Sequence, residues 1–264
     1  MKTVHCVIVT YNRVHLTKMT VDSLIKTTTK DLRLFLHFWD NASSDGTSAY
    51  LNELSERQTQ GKMPKNVQFV EAVFSPENKY PGYAYNHVWD AIMTEYEPDY
   101  LMASDNDILY KDGWFEAAER VMQAFPQIGQ VGILNNLQFI EPMYREKALL
   151  IQEQNGVKVN CQFPNVAGTF LLRPEVFRRK ARWPEGTWSQ IQWPAYEFGK
   201  AVLKTKFGFC NVLDDVAVEN VFDDYIENPD YYDKTFKERG AKGLLDNRRE
   251  AHKQGLTKDG YVTR

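Results

Sequence analysis

Asp105 and Asp107 stand one residue apart where the short apolar run Tyr100-Leu101-Met102-Ala103-Ser104 gives out. Residues i and i+2 of a strand share a side, so the two carboxylates are expected to converge on one point. Carboxylates held that close repel each other unless a cation lies between them. Hard oxygen ligands suit Mg²⁺ or Mn²⁺, with phosphate oxygens completing the shell. A lone Asp-x-Asp is also compatible with a solvated loop after a strand, and its company decides between the two.

Two further polar clusters have the same setting. Val4 to Val9 is apolar almost throughout and rich in β-branched residues, the pattern of a strand buried on both faces of a parallel sheet. It ends at Thr10-Tyr11-Asn12-Arg13, after which Leu16, Met19, Val21, Leu24 and Ile25 recur at roughly helical spacing. Leu32 to Trp39 reads as a second strand, ending at Asp40-Asn41-Ala42-Ser43-Ser44-Asp45-Gly46-Thr47 before a helix through Leu51 and Leu54. Val67 to Val73 is a third strand, followed by a helix around Ala84 to Met93, and Tyr100 to Ser104 is the fourth. Strands alternating with helices imply an α/β fold with a parallel sheet covered on both faces and right-handed crossovers. Ligands of such sheets bind beyond the carboxyl ends of the strands, where strands one, two and four each deliver a polar cluster.

Farther along, Trp114 to Phe125 reads as a helix and Gly129 to Leu134 as a strand. Leu149 to Val159 centres on Asn155-Gly156, the strongest short signal for a hairpin turn. Val166 to Leu172 is a strand whose Gly168 leaves room for a ligand, and Pro174 is placed to open a helix containing Phe177. Trp183 to Pro194 reads as a long loop; a helix from about Ala195 to Lys206 and a strand Gly208 to Leu213 complete the expected folded part. The charge then segregates: Asp214 to Asp233 holds eight acidic residues and no Lys or Arg, whereas Lys234 to Arg264 holds nine basic and four acidic residues. Such blocks are expected to be a solvated surface or a mobile tail.

A chain of 264 residues, 43% hydrophobic and 25% charged, has the composition of a soluble globular protein and the length of one large domain or two small ones. The net charge of −3 gives no global signal for a polyanionic partner, so any such site is local. Cys6, Cys161 and Cys210 form no Cys-x-x-Cys pair, so neither a disulfide framework nor a zinc site is expected, and a cytoplasmic setting follows. His5, His15, His37, His87 and His252 show no metal-site spacing. No run of about 18 apolar residues suits a membrane span, and the N-terminus reads as a first strand rather than a signal peptide.

Four stretches together resemble the successive signatures of family 2 glycosyltransferases with the GT-A fold. They are Val-Ile-Val-Thr-Tyr-Asn-Arg at 7–13, Trp-Asp-Asn-Ala-Ser-Ser-Asp-Gly-Thr at 39–47, Asn78-x-x-x-Gly82-x-x-x-Asn86, and Ser-Asp-Asn-Asp at 104–107. The resemblance covers roughly residues 4–220 and is strongest in the first 110. It implies a mainly parallel, Rossmann-like sheet flanked by helices, with a smaller acceptor-side hairpin region. Residues 1–110 would be the half that binds the nucleotide sugar, 111–222 the acceptor-binding half of the same domain, and 223–264 a charged C-terminal extension.

The implied activity is inverting transfer of a sugar from a nucleoside-diphosphate donor, most often a UDP-sugar, to an acceptor hydroxyl. Thr10, Tyr11, Asn12 and Arg13 would border the nucleotide. Asp40, flanked by Asn41 and Ser43, would accept a hydrogen bond from the base, since a carboxylate suits the imide N–H of uracil. Asn78, Gly82 and Asn86 would pack by the ribose and donor sugar. Asp107 would be a direct ligand of Mn²⁺ or Mg²⁺, with Asp105, beside Asn106, closer to the ribose or to the metal's hydration shell. Where the family often has a metal-contacting His, this chain has Val218-Glu219-Asn220, so a third ligand would be Asn220 or Glu219, or the contact is lost.

Gly168 and Thr169 match the segment that borders the acceptor, and Trp188 and Trp193, like Trp183, can stack on a ring. The family's catalytic base opens a helix about a dozen residues before a Gly-aromatic strand. Aligning on Gly208-Phe209 makes Glu197 the candidate, in place of the usual Asp and without an acidic neighbour. The acceptor would be a saccharide, or hydroxymethylated pyrimidine in phage-type DNA gripped by the basic tail. Two other classes remain: a nucleotidyltransferase, for which the Gly-rich basic loop after Val9 is missing, and a non-catalytic module that binds nucleotide sugars.

Overall fold

The computed structural model describes residues 1–133, 149–161, 168–187, 190–191, 194–213, 218–220, 229–238, 246, 249–250 and 253. The expected hairpin turn is present: Asn155 and Gly156 both have positive φ, 52° and 75°, as a two-residue primed turn requires. They join β7 (Ile151–Gln154) to β8 (Val157–Asn160) once β1 (Lys2–Thr10), β2 (Leu32–Asp40), β3 (Val67–Phe74), β4 (Tyr100–Ser104), β5 (Ile108–Tyr110) and β6 (Ile128–Gly132) have passed; β9 (Phe170–Leu172), β10 (Gly208–Val212) and β11 (Val218–Asn220) follow. Nine of these strands form one sheet in the order β3-β2-β1-β4-β9-β6-β10-β8-β7. The pairs β3-β2, β2-β1, β1-β4 and β6-β10 are parallel. β9 runs antiparallel between β4 and β6 and binds the two halves of the chain into a continuous sheet.

Side chains alternate along the strands and build two cores. Val4, Cys6 and Ile8 of β1 and Leu34, Leu36 and Phe38 of β2 face the helices α1 (Val14–Thr27), α2 (Thr47–Thr59) and α4 (Trp114–Ala124). Val7, Trp39, Leu101, Ala103 and Phe170 face the other way, onto α3 (Tyr80–Glu95), α5 (Pro174–Arg178) and α6 (Pro194–Lys204). Burying one large apolar side chain is worth about 1.5–3 kcal/mol, which is why period-two alternation fixes the register of the central strands. Among the described residues no helix is long and apolar enough to cross a membrane.

Three expectations need correction. The Asp105–Asp107 segment is not a strand, because β4 ends at Ser104 and β5 begins at Ile108, so strand alternation is not what orients the two carboxylates. The folded part does not end near Leu213: β11 pairs with β5, and α7 (Pro229–Glu238) carries Tyr232, only 6% exposed. Within that acidic-to-basic stretch, at least this helix is anchored to the body. Trp183 is 5% exposed and stacks on Phe198 with ring centroids 4.7 Å apart, so it is a core residue and not a platform for a ring. Trp188 and Trp193 lie outside the described residues.

Candidate active site

The polar ends of β1, β2 and β4 meet at one edge of the sheet. Asp40, the last residue of β2, is 1% exposed. Thr10 donates its hydroxyl to Asp40 Oδ1 at 3.1 Å, Ser43 donates to the same oxygen, and Ser48 donates to Oδ2 at 2.8 Å. The backbone N–H of Asn12 occupies Ser43 Oγ at 2.7 Å, leaving the Ser43 proton free to point at Asp40. A buried carboxyl group is accommodated when its oxygens are hydrogen-bonded in this way.

The glycine-containing end of the same cluster organises two helices. Asp45 accepts from Val14 N at 2.7 Å and from Thr47 N and Oγ1 at 3.2 and 2.6 Å, so one carboxylate stands at the N-termini of α1 and α2. Burial works against its charge, but the bonds from Thr47 and Val14 outweigh it and hold its carboxyl below the ordinary value. Negative charge is favourable at both helix starts.

Asn106, between the two aspartates, is 9% exposed. Its Nδ2 donates to Thr17 Oγ1 at 3.0 Å. Two residues on, Ile108 N donates to Thr20 Oγ1 at 2.9 Å; two further, Tyr110 N donates to Ser23 Oγ at 3.0 Å. Three hydroxyls at every third position of α1 therefore accept from every second residue of the segment that carries the carboxylates. Thr and Ser on a helix usually pass for solvent-facing residues, and only the i, i+3, i+6 spacing, which puts them on one face, hints at the seam.

Asp105 lies on the other flank. Its backbone N–H donates to Thr169 Oγ1 at 3.2 Å, and a Cβ on Gly168 would stand 2.4 Å from both carboxylate oxygens. The room at Gly168 is thus filled by Asp105 itself, in place of the expected ligand. Both carboxylates act on one phenol: burial first, then the charges of Asp105 and Asp107 among others, push the Tyr85 hydroxyl well up. It stays protonated and donates to Ser104 O at 3.2 Å.

Arg13 closes the edge. It follows Asn12 in a second consecutive left-handed conformation, φ 62° after 55°, a region that costs an ordinary side chain about 1–3 kcal/mol. From there Nη2 donates to Asp107 Oδ2 at 2.8 Å and to Asn106 Oδ1 at 3.0 Å. Tyr11 is partly exposed beside it. Asp105 and Asp107 offer the hard donor set a divalent ion takes, and β11 pairs Asn220 with Ile108, setting that residue's backbone next to Asp107. No group of three or more His, Cys, Asp or Glu converges among the described residues, so further ligands would be an amide such as Asn220, water or phosphate.

The asparagines expected at the nucleotide sugar, Asn41 beside the base and Asn78 and Asn86 by the ribose and donor sugar, are bonded within the chain. Asn41 Oδ1 accepts from Trp39 Nε1 and Lys79 N, both at 3.0 Å. Asn78 Oδ1 accepts from Tyr80 N at 2.9 Å, turning the chain into α3. Asn86 Nδ2 donates to Trp183 O at 3.0 Å and Glu185 Oε1 at 2.7 Å, while its Oδ1 accepts from Trp183 N at 3.0 Å. A Cβ on Gly82 would fall 2.0 Å from the Pro184 carbonyl oxygen. Gly82 and Asn86 clamp the 183–185 segment onto α3, because a buried amide is satisfied most cheaply by backbone.

Glu197 opens α6 and pairs with Lys200 at 2.6 Å, both side chains 44% exposed. Its neighbour Phe198 stacks on Phe170 at 5.6 Å, two residues beyond the Gly168 that touches Asp105.

The family description "Glycosyl transferase family 2" matches residues 5–179. No curated protein matches the chain significantly in sequence. Among solved structures, a Pyrobaculum calidifontis mannosyltransferase in complex with GDP-Man and Mn²⁺ is 16% identical with a TM-score of 0.61, over 98% of this chain and 65% of that one. S. aureus TarS (residues 1–349) in complex with UDP-GlcNAc is 12% identical with a TM-score of 0.56, over 98% and 74%. GalNAc-T7 with UDP, GalNAc and Mn²⁺ is 12% identical with a TM-score of 0.56, over 84% and 44%. The chain thus spans about two thirds of the mannosyltransferase's length, and the likeness in fold is to GT-A glycosyltransferases.

Proposed function

The chain belongs to glycosyl transferase family 2, and from that premise we propose that it moves a sugar from a UDP-sugar to an acceptor hydroxyl with inversion at the anomeric carbon. The observation that carries the reading is the meeting of Asp40 and Asp107 at one sheet edge through the single turn Thr10–Arg13. A base held at the first and a diphosphate at the second are what a nucleotide sugar presents.

The hydroxyls around Asp40 favour uracil. An ionised carboxylate has about four acceptor positions, and Thr10, Ser43 and Ser48 take three of them. The one left matches the single imide N–H of uracil. The two adjacent donors on the edge of guanine would need two.

Asp105 and Asp107 would hold Mn²⁺ or Mg²⁺, with Asn220 as a further ligand; the bound ion supplies Lewis-acid stabilisation of the departing diphosphate. Arg13 lies where its fork can share in neutralising that group. Glu197 is the proposed base. Its support is position: α6 is stacked through Phe198 on the strand that starts against Asp105. The longer Glu side chain has the reach to take a proton from an acceptor hydroxyl as it attacks in line. Holding donor and acceptor in register supplies much of such a rate effect. The acceptor we propose is a saccharide.

The test is a panel of UDP-, GDP- and dTDP-sugars incubated with the protein and Mn²⁺, with slow hydrolysis or protection measured for each. A UDP-sugar is expected to respond and the GDP-sugars are not. No response from any donor would leave a binding module or a nucleotidyltransferase.

A further inference from the structure

Tyr232 ties α7 into the same edge. Its hydroxyl accepts from Arg13 Nη1 at 2.8 Å, and its ring lies 5.9 Å from the guanidinium carbon. The opposite arm of that guanidinium reaches Asn106 and Asp107, in an ion pair only 12% and 10% exposed. α7 is itself pinned from behind, where Arg249 bonds Asp233 Oδ1 at 2.7 Å and Pro229 O at 3.2 Å. One guanidinium therefore joins α7 to a carboxylate of the proposed diphosphate site.

We propose that Tyr232 is a positioning residue that keeps Arg13 on Asp107 until a diphosphate arrives, so that divalent ion and nucleotide bind together and neither binds well alone. The inference rests on the donor-site reading above. A guanidinium on Asp107 opposes a second cation there by like-charge repulsion, and weakly screened sites make that repulsion large. A diphosphate changes the balance, because a planar fork bonds phosphate oxygens two at a time. With Arg13 drawn to the phosphates, Asp107 is released to the ion. The coupling is reciprocal, as linkage requires. Tyr232 supplies the bond and the ring face that restrict the guanidinium to this choice of two anions.

Manganese binding measured by electron paramagnetic resonance of the free ion, with and without UDP, tests the inference without turnover. In the unaltered protein UDP is expected to tighten manganese binding roughly 5- to 150-fold, the usual span of a coupling between sites. In Arg13→Gln manganese alone binds more tightly and most of the enhancement is lost, while Arg13→Lys, which keeps the charge, retains part of it. Tyr232→Phe, lacking one oxygen, is expected to lower the enhancement about threefold. A helix-holding role alone would lower thermal stability and leave the ratio untouched. An unchanged ratio in Tyr232→Phe overturns the inference, as does manganese binding indifferent to UDP in the unaltered protein. Absence of manganese binding in every protein, with or without UDP, overturns the donor-site reading and this inference with it.

Discussion

The proposed donor edge and the proposed acceptor flank of the site are held by different forces. At the donor edge, Asp40, Asp45, Asn106 and Asp107 are each wired by hydroxyls, backbone N–H groups or a guanidinium. On the acceptor flank the positions are set by stacking: Trp183 on Phe198, Phe198 on Phe170, and Trp89 edge-on to Phe170 and Phe177. The candidate carboxylate there, Glu197, stands half exposed beside Lys200, in the kind of surface pair that contributes little to stability. Groups that must hold charge in a fixed place are bonded on several sides. The base proposed at Glu197 would, half exposed, have room to turn toward an arriving acceptor.

That contrast can be broken by experiment. Glu197→Gln is expected to cut kcat roughly 10²–10⁴-fold, the usual contribution of a general base, with UDP-sugar affinity retained in calorimetry. Unchanged turnover would make the acceptor flank a scaffold and move the base elsewhere, to Asp214 or Asp215. Asp107→Ala is expected to lower turnover about 10²–10³-fold and to abolish metal-dependent binding of UDP. Full activity of that variant in the presence of a chelator would remove the donor-edge assignment.

Smaller effects sharpen the comparison. Asp40→Asn replaces an acceptor by a donor toward the base, and KM for the donor is expected to rise about 10- to 100-fold, in keeping with a bond to a charged group, with kcat little changed. Gly168→Ala forces a methyl onto the Asp105 carboxylate; a loss of about 1–3 kcal/mol in urea unfolding is expected from overpacking, together with weaker manganese binding. One effect lies away from the site, at His5, and touches stability alone. It is buried against Phe35 and bonded to His37 at 3.0 Å, and burial, with the His37 charge adding, takes its pKa down from 6.5 to about 3. Below pH 6.5 the unfolded chain binds a proton that the folded chain refuses, so stability falls as pH drops toward 3. His5→Phe is expected to flatten that part of the stability profile.

What the sequence revealed followed from the forces it can express. Val4–Val9 and Leu32–Trp39 announce buried strands because a mostly apolar run is written residue by residue, and the polar runs after them locate the proposed donor edge without any contact being known. Asn155-Gly156 was legible for the same local reason. Asn86 was not: its i+4 spacing from Gly82 fits a ligand contact as well as a clamp, and its partners lie nearly a hundred residues away, at Trp183 and Glu185. Gly168 shows the same limit, since a missing side chain records that space is needed and not what fills it. The charge of α7 suggested solvent, while the contact that anchors it depends on one tyrosine among acidic neighbours.

The hydroxyl seam along α1 makes the aspartate segment a follower of that helix. Thr17, Thr20 and Ser23 hold three successive rungs of it, and Asp45 holds the helix by its first residue. Any tilt of α1 is therefore handed on to Asp107 with little slack. An alanine at Ser23, five residues short of the helix's far cap, would be felt at the carboxylates as a loss of alignment.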